Sequence, residues 1–135
     1  MLDTVDPQPI ERLPGVAPYR SSGSAHNGFV FCLSTANNKS VGMAEQARLT
    51  LERLDRLLAE LGSDRGHILQ TTIYLADASL KAEFDVEWKK WIGEEAAGWP
   101  PRAGIGVMMT PGLLCEVVLI AAQVRPGKTS AEIAD

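Results

Sequence analysis

The stretch MAEQARLTLERLDRLLAEL, residues 43–61, decides how the rest of the chain is read. Met43, Ala47, Leu51, Leu54, Leu58 and Leu61 recur at steps of three and four, which puts one apolar stripe along an amphipathic helix. Glu45, Arg48, Glu52, Arg53, Arg56 and Glu60 take polar positions between them, and Gly62 supplies the C-terminal stop. Working outward, the segments on either side read as strands. Gly28–Leu33 is β-branched and aromatic after an Asn-Gly turn signal, and Ile68–Leu75 is rich in Ile, Thr and Tyr. A second helix over Leu80–Ile92 sets Leu80, Phe84, Trp88, Trp91 and Ile92 on one side, with Ser79 as its expected N-cap. Arg102–Met109 and Leu113–Val124 read as two closing strands joined across Thr110-Pro111-Gly112. Ile10–Ser24, broken by Pro14, Gly15 and Pro18, has room for one or two short strands.

Two helices cannot cover both faces of a sheet, so this order predicts an α+β fold, a mixed sheet with both helices on one face. The strands are apolar on both sides, most clearly Leu113–Ala122, and an uncovered apolar face predicts a homo-oligomer. The 135 residues fit one domain, 1–135, with 1–9 and 126–135 as loose tails.

Composition narrows the function. Lys and Arg total 13 against 17 Asp and Glu, a net charge of −4, which opposes nucleic acid as a partner because phosphate binding needs a basic footprint. The first nine residues carry Asp3, Asp6, Pro7 and Pro9 without an apolar core, so no secretory signal is expected. No apolar stretch is long enough for a membrane helix, which makes the expected location cytoplasmic. Cys32 and Cys115 sit in apolar runs and read as buried thiols. His26 and His67 share no metal-ligand spacing with other residues, so no metal site is expected. Gly104 and Gly106, inside a strand with no helix following, read as points of close approach by another backbone or a ligand.

Two charges stand out. Glu116 is the only charged residue between Arg102 and Arg125, and it shares a strand face with Leu114, Val118 and Ile120. A carboxylate there is either a structural ion pair, an edge residue or a poised acid/base. Arg102 follows Pro100-Pro101 and opens the strand expected to pair across the short turn with that of Glu116. A surface charge is the bland reading of Arg102; a rigid guanidinium beside a semi-buried carboxylate suits capture of a substrate carboxylate.

From Pro18-Tyr19 to Val124 the chain resembles the Rid family of reactive-intermediate deaminases, also called YjgF-like or endoribonuclease L-PSP proteins. The likeness is carried by Glu45–Arg48 through Leu58–Gly62, Gln70–Asp77, Trp88–Trp91, Pro100-Pro101-Arg102-Ala103 and Cys115-Glu116-Val117. The paired tryptophans and the Pro-Pro-Arg-Ala step place it nearer a divergent branch. The resemblance implies a chorismate-mutase-like homotrimer with sites between subunits, no metal or organic cofactor, and a small carboxylate as substrate. It implies that Arg102 binds the carboxylate, Glu116 activates water against an imine carbon, and Tyr19 lines the pocket. Where the archetype reads Ser-Gly-Gln, this chain has Leu33-Ser34-Thr35; where a cysteine often stands, it has Gly104; the usual asparagine early in the second helix is Asp85. Leu33, Ser34, Thr35 and Gly104 are thus further expected substrate-binding positions. The implied function is a hydrolytic deaminase of enamine or imine acids. A non-catalytic trimeric carboxylate binder is the alternative, and a ribonuclease is disfavoured by the net charge and by the lack of a His or Lys pair for phosphoryl chemistry.

Overall fold

A computed structural model describes residues 9–128, so the expected tails fall mostly outside the described residues. The elements are β1 (Glu11–Pro14), β2 (Ser21–His26), β3 (Phe29–Ser34), α1 (Met43–Glu60), β4 (Ile68–Leu75), α2 (Lys81–Ile92), β5 (Arg102–Gly106) and β6 (Cys115–Ala122). They build one six-stranded mixed sheet in the order β1-β2-β3-β6-β4-β5. Every neighbouring pair is antiparallel except β4 and β5.

Alternation along the strands sorts side chains to two faces. Val30 and Cys32 of β3, Thr71, Ile73 and Leu75 of β4, and Cys115, Val117, Leu119 and Ala121 of β6 are buried. They meet Leu51, Leu54 and Leu58 of α1 and Phe84, Trp88 and Trp91 of α2 in one core. The predicted α1 stripe is buried throughout, from Met43 to Leu61. Burial of each such leucine stabilises by about 1.5–3 kcal/mol. The opposite face keeps Phe29, Phe31, Leu33 and Ile105 exposed, and the alternate β6 positions Val118 and Ile120 half-buried.

Helix ends follow local chemistry. Gly62, at φ 82°, closes α1 in a Schellman motif: Ser63 N donates to Leu58 O at 2.8 Å and Gly62 N to Ala59 O at 3.2 Å. At the other end Gln46, fully buried, donates through Nε2 to Val41 O and Gly112 O and accepts at Oε1 from Leu114 N. That amide ties the loop before β6 to the start of α1. Ser79 is not the N-cap of α2: Asp77 Oδ1 accepts from Ser79 N at 2.9 Å, capping a 3₁₀ turn over Ala78–Leu80 that precedes the helix.

One topological expectation is overturned. β5 and β6 do not form a hairpin; β4 lies between them. After α2 the chain returns beside β4 and parallel to it, as a β-α-β crossover does. β6 then inserts between β3 and β4, where both its edges are hydrogen-bonded. The most apolar strand takes the centre of the sheet, and the short glycine-bearing β5 takes the edge.

Candidate functional site

Arg102 opens β5 opposite Thr71, a position whose side chain is buried on the helix-covered face. Its guanidinium lies 5.7 Å from the Phe84 ring centroid and 5.1 Å from that of Trp88. Cation–π attraction to two rings of α2 therefore helps hold it in place. Nη2 donates to Asp85 Oδ1, and the two side chains are only 19% and 21% exposed. Lys81 Nζ holds the other Asp85 oxygen at 2.6 Å. Burial alone would raise the Asp85 carboxyl, but hydrogen bonds from Lys81 and Arg102, and their charges, outweigh it and hold the group below its ordinary value. Gly104, two residues along and on the same face, leaves open space where a side chain would stand. Within the chain, then, it is not a point of close backbone approach.

Glu116 faces the other way. It stands opposite Tyr74 on the face bared by the helices, and makes no hydrogen bond or ion pair to any described residue. Arg102 sits level with Thr71 and Glu116 with Tyr74, so three residues and two strand spacings separate them, about 14 Å between Cα atoms. The expected partnership of Arg102 with Glu116 inside one chain is therefore absent. Asp85 is the partner of Arg102.

Glu116, Leu33 and Thr35 line one cavity of about 860 Å³, which continues past Gly15, Ser22, Lys39 and Arg53. Ser34 does not reach it: its side chain is buried and its hydroxyl donates to Thr50 O at 2.9 Å. Tyr19 is fully exposed with φ 69°, a left-handed backbone rare for an aromatic residue, and it borders a neighbouring cavity of about 680 Å³ with Arg12 and Phe31. The thiols are inert: burial pushes Cys32 up to about 12 and Cys115 to about 11, although Thr50 offers Cys115 a weak opposing hydrogen bond. His67 Nδ1 pairs with Asp64 at 2.7 Å. Among the described residues no group of His, Cys, Asp and Glu could hold a metal ion, and no helix is long and apolar enough to cross a membrane.

A six-stranded mixed sheet carrying two helices on one face is the YjgF-type α+β fold. The chain belongs to the endoribonuclease L-PSP family, whose pattern matches residues 10–123. It is 30% identical over 104 residues to a RutC family protein of Haemophilus ducreyi, covering 76% of this chain and 87% of that one. RutC family protein YoaB of Escherichia coli K12 is 30% identical over 102 residues, with 72% and 84% covered. Among solved structures, NMB1025 of Neisseria meningitidis, a member of the YjgF protein family, superposes with TM-score 0.79 at 30% identity, covering 87% of this chain and 97% of that one.

Proposed function

We propose that the protein hydrolyses small enamine or imine carboxylic acids to 2-oxo acids and ammonia, as a homotrimer with active sites between subunits. The observation that carries the reading is the Arg102 guanidinium, lying against the Phe84 and Trp88 rings and half-sheltered beside the open space at Gly104. Such a group is an oriented clamp for a carboxylate. Glu116, without a hydrogen-bond or ion-pair partner among the described residues on the opposite face, then serves a substrate held by the Arg102 of an adjoining subunit. The exposed row Phe29, Phe31 and Leu33 supports an assembly that covers that face. In the reaction, Glu116 accepts a proton from water as the water oxygen bonds to the imine carbon. The C=N π pair passes to nitrogen, which takes a proton from solvent to give the carbinolamine. Glu116 then returns its proton to that nitrogen, the C–N bond breaks with its electron pair leaving on ammonia, and the hydroxyl proton goes to solvent as the carbonyl forms. The chemistry calls for neither metal nor organic cofactor, since the imine is already electrophilic.

The alternative, a carboxylate binder without turnover, is favoured by one observation: Asp85 already occupies part of the Arg102 fork. Ammonia release from freshly generated imino acids of several sizes separates the two. The deaminase reading expects acceleration over buffer that disappears in Arg102→Ala; binding of 2-oxo acids that survives Glu116→Gln with no turnover in the wild type favours the binder.

A further inference from the structure

Most cations of this acidic chain have a carboxylate partner. Arg48, Arg56, Arg65, Lys81, Lys90, Arg102 and Arg125 are all ion-paired. Arg12, Arg20, Lys39, Arg53, Lys89 and Lys128 have none among the described residues. The distribution of this second group is not even. Arg20, Lys39 and Arg53 all line the cavity of about 860 Å³ that holds Glu116, which is its one carboxylate-bearing wall residue.

Arg53 is the most informative of them. It sits on α1, where its neighbours Arg48 and Arg56 have acids one turn away. Arg53 instead is half-buried and donates through Nη2 to the hydroxyl of Ser22 at 2.6 Å, a neutral and itself buried partner. Burial and, next, the charge of Arg56 both pull its pKa down, so the folded chain holds this cation in a place that penalises it. A partly desolvated guanidinium held by a hydroxyl, with Arg20 and Lys39 on the same walls, has the make-up of an oxyanion receptor. The amide of Asn38 adds polar capacity: its Oδ1 is taken by Ser40 N and Oγ at 3.1 and 2.6 Å, while its nitrogen is not engaged by any described residue.

We infer that this cavity binds a small oxyanion through Arg53, Arg20 and Lys39. Because Glu116 lines the same cavity, the oxyanion is a second anionic group on the substrate, a carboxylate or a phosphoryl group at the end remote from Arg102. That last step rests on the function proposed above; the anion site itself does not.

The test is calorimetric titration of the full-length protein at low ionic strength with two probes, inorganic phosphate and succinate, on wild type, Arg53→Gln and Arg56→Gln. Arg56 is exposed, pairs with Glu52 at 3.5 Å and does not line the cavity, so it controls for bulk charge. Saturable binding of either probe that weakens about tenfold or more in Arg53→Gln and is kept in Arg56→Gln supports the site. Tighter binding of one probe names the oxyanion. Absence of saturable binding in the wild type, or equal weakening in both variants, overturns it. Ammonia release from a neutral-side-chain imino acid, run in parallel, reports on the deaminase reading alone, so the two fail separately.

Discussion

Replacing Asp85 by asparagine isolates the feature that most shapes the Arg102 site. The carboxylate of Asp85 and an incoming substrate carboxylate share one guanidinium, and at about 6 Å apart in an effective dielectric of about 20 they repel by about 2.8 kcal/mol. Partial exposure and the Lys81 ammonium, 2.6 Å from the second Asp85 oxygen, screen roughly half of that. About 1.4 kcal/mol remains, a tenfold gain in carboxylate affinity for Asp85→Asn. Trp88 lies against the guanidinium, so its fluorescence provides the assay, with pyruvate as titrant. Unchanged or weaker binding in Asp85→Asn would refute the idea that this carboxylate competes with the ligand. The same residue sets an acid limb. Its folded pKa is depressed, so its stabilising contribution is fully present above the ordinary value of 3.8 and is lost as pH falls below it. Thermal melts of wild type and Asp85→Asn should therefore converge only below about pH 4.

Other outcomes follow from the packing. Gln46→Ala strands the Val41 and Gly112 carbonyls and the Leu114 amide, and should cost about 2–4 kcal/mol in urea unfolding without changing the m-value. Gly62→Ala forces a side chain into a left-handed residue and against the Arg125 carbonyl, so a melting temperature equal to wild type would contradict the close packing there. Cys32 and Cys115 should stay unmodified by a thiol reagent at pH 8 until the protein is unfolded; rapid labelling of the native state would mean the core opens readily. Phe31→Asp should abolish the proposed trimer in sedimentation while leaving the far-ultraviolet circular dichroism of the monomer intact.

Periodicity along the chain specifies the elements and their buried faces. The α1 stripe, the buried face of α2 and the alternation of β6 are local patterns, and each reappears in the burial of the folded chain. Strand order is not local. Nothing in Thr110-Pro111-Gly112 says that the chain leaving β5 crosses β4 to place β6 at the centre, so a local reading sets Arg102 and Glu116 side by side, whereas they lie on opposite faces. The Arg102–Asp85 pair is likewise absent from local pattern: it joins a strand to the helix laid across it, a contact set by tertiary packing. Arg53 looked like any polar position on α1, because its lack of an acid partner becomes visible only once the neighbouring loops are in place.

The placement of Arg102 and Glu116 on opposite sides of one sheet also has a genetic consequence. In the proposed trimer each active site draws its arginine from one chain and its glutamate from the next, so two different inactivating lesions need not coincide in the same site. Arg102→Ala and Glu116→Gln homotrimers are each expected to be silent. Subunits unfolded, mixed in equal parts and reassembled should regain about a quarter of wild-type sites, the fraction in which an intact arginine chain abuts an intact glutamate chain. A cell carrying both alleles would then be active where either alone is not.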